Sequence, residues 1–166
     1  SKKETIKSSE IYFDALLKLI NINFIHFIPN NDDNSKIILK VLKKKIYFNK
    51  NIKIMKSMRF EHYLTLLENS NFIIGNSSSG VMEAPYFQIP SINVGDRQNN
   101  RFGINKNLNV KFNIKEILQA IKNVKNLKSF RKNIFGKGDS SKKIMNIVNS
   151  KNFKKLQLQK NYKNLK

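Results

Sequence analysis

The sequence predicts an α/β protein, a Rossmann-like and mostly parallel sheet flanked by helices. Three observations predict it. Short apolar runs alternate with stretches in which apolar residues recur every three or four positions, as right-handed βαβ units require. The run Phe72-Ile73-Ile74 ends at Gly75 and passes through Asn76, Ser77, Ser78, Ser79 and Gly80 into a helical pattern. Sheets of this kind hold ligands at such strand–loop–helix junctions. The first apolar strand follows a helix and not another strand. That opening suggests a sheet lacking its first strand, and a chain that is a fragment.

In order along the chain, Ile11, Ala15, Leu16, Leu19 and Ile20 give helical spacing from Ser8 to Ile20. Asn21 to Pro29 reads as a strand, with Ile22, Phe24, Phe27 and Ile28 suited to burial on both faces. His26 inside it reads as a core histidine. The turn cluster Pro29 to Asn34 carries Asx side chains placed to cap the next helix, whose face is Ile37, Ile38, Val41 and Leu42. In a parallel sheet this loop lies at the carboxyl end of its strand, so Asn30 is a candidate ligand contact as well as a turn residue. Lys43, Lys44 and Lys45 oppose the negative end of that helix.

Asn51 to Met55 alternates as a strand does. Arg59 to Ser70 is helical, with Tyr63, Leu64 and Leu67 on one face. The strand from Phe72 then meets the serines. A chain turning there into a helix presents bare backbone N–H groups and a partial positive charge, which suits phosphate. Ser77, Ser78 and Ser79 add hydroxyl donors, and Gly80 admits close approach of a ligand. The same residues also describe an ordinary Ser/Gly turn capping a helix. That helix includes Pro85, so it should be short or kinked.

Pro90 to Gly95 reads as another strand, and Asp96 to Asn107 as a polar, irregular stretch with two arginines. Asn113 caps the clearest helix, with Ile114, Ile117, Leu118, Ile121 and Val124 in register and Glu116 as capping-box partner. Gly136 to Ser141 is a turn before a last helix containing Ile144, Ile147 and Val148. From Lys151 the chain is lysine-rich. Two parts are therefore expected: a domain over 1–150 and a helix or tail over 151–166.

With 166 residues the chain suits a single core. It has no cysteine, hence no disulfide and no thiolate metal site, and neither a metal nor a cofactor is expected. No apolar run reaches the roughly 18 residues of a membrane span, and the N-terminus has no signal-peptide core. A cytoplasmic location is the default. The charge stands out, with 32 Lys+Arg against 11 Asp+Glu and a net +21. Such a surplus fits nucleic acid or an anionic surface. Yet most of it is lysine scattered among Asn and Ile, as an AT-rich coding sequence would give, and aromatics are not interleaved with arginine. A basic RNA-binding module is therefore the weaker reading.

The stretch RFEHYLTLLENSNFIIGNSSSGVMEAPYFQIPSINVGDRQNNRF, with PNND and FGKGDSSKKI in support, resembles the hydrolysing UDP-N-acetylglucosamine 2-epimerases and their relatives serving nonulosonic acids. The resemblance implies the C-terminal half of a GT-B-type enzyme, with its site in the cleft between two domains. It implies that Ser77, Ser78, Ser79 and Gly80 hold the diphosphate of UDP, that Glu83 accepts from the ribose hydroxyls and that Tyr63 packs on uracil. It puts Arg97, Gln98 and Arg101 near the diphosphate and sugar, where Arg101 could stabilise departing UDP. The reaction implied is loss of the C2 proton with elimination of UDP, then addition of water to give N-acetylmannosamine. The general acid and base would lie in the missing N-terminal domain, so this chain should bind UDP or UDP-N-acetylglucosamine without turnover. The resemblance also admits a homodimer. A UDP-sugar glycosyltransferase of the same architecture would use the same loop and is the closest alternative.

Overall fold

A computed structural model of the chain describes residues 1–99, 108–124 and 136–156. Two compact units divide it, 1–132 and 133–166.

The first unit opens with α1 (Lys2–Leu17). It starts earlier than the apolar spacing suggested because Ser1 and Glu4 close a capping box: the Ser1 hydroxyl accepts from the Glu4 N–H and the Glu4 carboxylate accepts from the Ser1 amine. Next come β1 (Phe24–Phe27), α2 (Ser35–Ile46) and β2 (Ile52–Met55). β1 and β2 pair in parallel with Phe24 opposite Ile52 and His26 opposite Ile54. The expected Asx side-chain cap on α2 does not form. Asn34 is the N-cap, but in a left-handed conformation (φ 66°) whose side chain makes no capping bond. Its backbone carbonyl accepts from Ile37 and Ile38 instead.

After α3 (Phe60–Glu68), a second parallel sheet is built from β3 (Ile73–Gly75), β4 (Ser91–Val94) and β5 (Leu108–Val110) in that order. β3 leads to β4 through α4 (Ser79–Met82), and β5 leads to α5 (Ile114–Asn123). β5 falls between the polar stretch Asp96 to Asn107 and the Asn113 cap, a place with no sequence expectation. Leu108, Asn109 and Val110 do alternate, with Asn109 exposed, but the run is shorter than the roughly four to eight residues by which a strand is read in sequence. The strands thus form two parallel sheets instead of one.

Two apolar clusters fill the unit. One holds Ile92 and Val94 of β4 with Ile117, Ala120 and Ile121 of α5; the other holds Val41, Leu42 and Ile46 of α2 with Ile52 of β2. α1 straddles them, giving Ala15 to the first and Phe13 and Leu16 to the second. His26 lies among these aromatics, edge-on to Phe13 at 5.4 Å, and burial lowers its pKa to about 4. It is a core histidine, held neutral.

Asn113 caps α5 as expected, its Oδ1 accepting from the N–H groups of Lys115 (2.9 Å) and Glu116 (3.2 Å). Glu116 reaches back past the cap to the Lys111 N–H at 3.0 Å, so the box closes two residues earlier than the pattern implied.

In the second unit, α6 (Ser140–Val148) is followed by α7 (Lys151–Lys154), capped by Ser150. Ile144, Met145 and Ile147 of α6 are exposed.

Candidate functional site

The serine loop sits at the leading end of α4. Ser78 is the N-cap and the helix runs only to Met82, stopping ahead of Pro85. The expected helix through Pro85 is replaced by turns, closed at Gln88 with φ 60°. Glu83 is accordingly the C-cap residue of a single helical turn, its N–H donating to the Ser79 carbonyl at 3.1 Å. Part of the expected bare donor set is already used. The Ser79 N–H donates to Ser77 Oγ (3.3 Å) and the Gly80 N–H to the Ser77 carbonyl (3.2 Å). The exposed Ser77 and Ser78 remain open to a ligand through their hydroxyls.

Gly80 has a packing reason for being glycine. A Cβ there would lie 2.5 Å from Ser91 Oγ, so the missing side chain lets α4 press against β4. At this position the structure shows close approach of helix to strand.

Tyr63 of α3 hydrogen-bonds through its hydroxyl to Ser79 Oγ, tying α3 to the start of α4. Burial raises its pKa, the Ser79 bond opposes that rise, and the nearby charge of Glu83 adds to it. The ring is also edge-on to Phe27 at 5.6 Å. Together they wall a cleft of about 240 Å³ lined by Phe27, Ile28, Asn30, Met58, Phe60 and Tyr63. It opens at the carboxyl ends of β1 and β2, where ligands bind to parallel sheets. Tyr63 and Asn30 were legible as candidates. Phe27, Met58 and Phe60 were not, because apolar residues at strand and helix ends read as core.

Glu83 is half-buried, and its Oε2 is fully shielded with no hydrogen-bond partner among the described residues. A buried, unsatisfied carboxylate oxygen costs stability, and such atoms call for a partner. Gln98 is 6% exposed, and its Nε2 donates to the Asn76 carbonyl at 2.7 Å. It braces the loop from behind, and its Oε1 has no partner. Arg97 is exposed and pairs with Asp32 at 2.9 Å, joining the loop after β4 to the loop after β1. Arg101 lies outside the described residues. Among those described, no cluster of His, Cys, Asp or Glu could hold a metal ion. No described helix is long and apolar enough to cross a membrane. A larger groove, about 510 Å³, runs between β5 and α5 past Leu108, Gln119 and Asn123, and contains none of the candidate residues.

The sequence model of the family described as UDP-N-acetylglucosamine 2-epimerase matches residues 1–149. The chain belongs to that family. A UDP-N-acetylglucosamine 2-epimerase of Neisseria meningitidis serogroup B is 36% identical over 143 residues, 84% of this chain and 37% of that relative. A GDP/UDP-N,N'-diacetylbacillosamine 2-epimerase (hydrolyzing) of Campylobacter jejuni is 36% identical over 102 residues, 60% of this chain and 26% of that relative. The epimerase-family chain therefore spans from about a quarter to about two fifths of the length of the curated relatives it matches. Among solved structures, the Methanocaldococcus jannaschii UDP-GlcNAc 2-epimerase in complex with UDP-GlcNAc and UDP superimposes with a TM-score of 0.71 at 25% identity, covering 86% of this chain and 40% of that one. The fold is thus the Rossmann-like α/β architecture of the GT-B-type epimerases.

Proposed function

We propose that this chain is the UDP-binding half of a hydrolysing UDP-N-acetylglucosamine 2-epimerase. The observation that carries the reading is the convergence of Tyr63, Ser79 and the unpartnered Glu83 carboxylate at the carboxyl ends of parallel strands. In this reading uracil lies in the cleft against Tyr63 and Phe27, with Asn30 at its rim. The ribose hydroxyls donate to the Glu83 carboxylate. The diphosphate meets Ser77 and Ser78 at the start of α4. Gln98 holds the loop in place through Asn76. Arg97, with Arg101, supplies positive charge to UDP as it departs.

The chemistry follows from what the parts can do. A base removes the sugar's C2 proton, the C1–O bond breaks and UDP leaves with the electron pair. Water then adds to the unsaturated sugar with C2 inverted, giving N-acetylmannosamine, a precursor of sialic and related nonulosonic acids. The residues described here stabilise the leaving group. The acid and base belong to the portion of the relatives' length that this chain does not span, so the chain alone binds UDP and does not turn it over. The parent enzyme would act in the cytoplasm.

Isothermal titration with UDP tests this. Ser77→Ala and Glu83→Ala should each weaken binding by roughly 10- to 100-fold, the loss expected when a charged hydrogen bond is removed. Wild-type binding that both variants retain would overturn the assignment.

A further inference from the structure

The lysines that dominate the net charge are unevenly matched with acids. Residues 15–31 and 34–60 contain no Asp or Glu. Asp14, just ahead of the first stretch, is already held by Lys45 at 2.6 Å. The exposed charge left there is cationic. Lys43 and Lys44 stand in the last turn of α2, Lys18 is the C-cap of α1, and Lys50 lies in the connection to β2. No ion pair among the described residues engages any of these four.

Large apolar side chains stand in the same place. Ile20 is 74% exposed, Tyr47 57% and Phe48 92%, and the two rings meet edge to face at 5.1 Å. Two hydrogen bonds hold the loops that carry them together. Asn51 Nδ2 donates to the Ile20 carbonyl, and the Phe24 N–H donates to the Asn51 carbonyl at 2.7 Å. Each loop leads into a strand, so the patch lies at the amino ends of β1 and β2. The Tyr63 cleft opens at their carboxyl ends.

We propose that this end of the first unit docks on an anionic lipid surface. Phe48, Tyr47 and Ile20 enter the headgroup boundary, and Lys18, Lys43, Lys44 and Lys50 pair with lipid phosphates. Lysine decides for lipid over a protein partner. Protein interfaces deplete it, whereas at a bilayer it buries its stem and keeps its ammonium among the phosphates. An RNA site would set flat rings under bases, with arginine beside them. Here one ring stands edge-on to the other and Ile20 has no face to stack. The arginines among the described residues, Arg59 and Arg97, follow the carboxyl ends of β2 and β4. Docking by the amino ends turns the cleft away from the bilayer, so the proposal holds whatever the cleft binds.

The chain has no tryptophan, so Phe48→Trp supplies a single fluorescent reporter on the surface. Its emission should shift to the blue with phosphatidylcholine vesicles carrying phosphatidylglycerol, and not with phosphatidylcholine alone. In vesicle sedimentation at about 0.15 M salt, Phe48→Ala and Lys43→Glu/Lys44→Glu should each weaken binding at least about tenfold. Lys115→Glu/Lys122→Glu makes the same change in net charge on exposed lysines of α5, and should weaken it less than about threefold. An unshifted reporter would overturn the proposal. Equal losses from the two lysine pairs would do so too, since they would mean adsorption by overall charge. A reporter that responds to single-stranded RNA and not to vesicles would assign the patch to nucleic acid instead. UDP takes no part in either readout.

Discussion

α4 and α5 are both short helices packed on the same three-stranded sheet, and they are built to different standards. α5 has a side-chain cap at Asn113, an apolar stripe that is buried at Ile117, Ala120 and Ile121, and Glu116 serving its first turn. α4 is a single turn between a serine loop and a proline, with no side-chain cap and an unsatisfied carboxylate oxygen at its end. A segment in which every local rule agrees is scaffold. A segment that breaks several at once, on a rigid scaffold, is where function is expected.

The largest test of the difference is Ile117→Ala. Ile117 is fully buried at the centre of the α5 cluster. Truncation should cost about 2–5 kcal/mol, through lost burial and the cavity left behind, read as a lower urea midpoint. The folded fraction should keep its UDP affinity. Loss of UDP binding under conditions where the variant is still folded would erase the distinction between scaffold and site.

Gly80→Ala comes next. In an open helix this change would be favourable, since alanine is the better helix former by about 1 kcal/mol. Here the added methyl meets Ser91 Oγ at 2.5 Å. We expect a net loss of about 1–3 kcal/mol from overpacking against β4, partly recovered in Gly80→Ala/Ser91→Ala. Thermal unfolding of the two variants decides it. A Gly80→Ala protein as stable as wild type would mean that the glycine serves the ligand and not the sheet.

The same contrast explains what could be read beforehand. α5 was legible almost residue by residue, because periodicity, cap and burial all act locally. At α4 the strand, the serines and the helix start were legible, but the helix length was not. The helix ends at Met82 ahead of Pro85, where a kink was an equal expectation, and this moves Glu83 from the helix interior to the C-cap. At Gly80 nothing in the chain announces that Ser91 lies across from it, so the packing reason for the glycine is not legible beforehand. The resemblance puts Gln98 near the diphosphate and sugar, and its buried side chain also donates to the Asn76 carbonyl, a partner 22 positions away that the sequence does not announce. β5 alternates over Leu108, Asn109 and Val110, but so short a run does not mark a strand in sequence.

The smallest expected effect is the sharpest. Glu83→Met keeps the side chain's length and removes the shielded Oε2 that has no partner. An unsatisfied buried polar atom costs about 1–3 kcal/mol, part of which is returned when an apolar group of similar shape replaces it. The methionine also cannot raise the Tyr63 pKa by its charge, as Glu83 does, so that the phenol–Ser79 hydrogen bond no longer sits beside a carboxylate. The variant should therefore be as stable as wild type or more so, by up to about 1 kcal/mol in urea denaturation, while UDP binding is lost. A destabilised Glu83→Met protein would show that the carboxylate supports the fold, and α4 would then belong with α5 as scaffold. Stability that holds or rises while affinity falls marks a group kept at the fold's expense for a ligand.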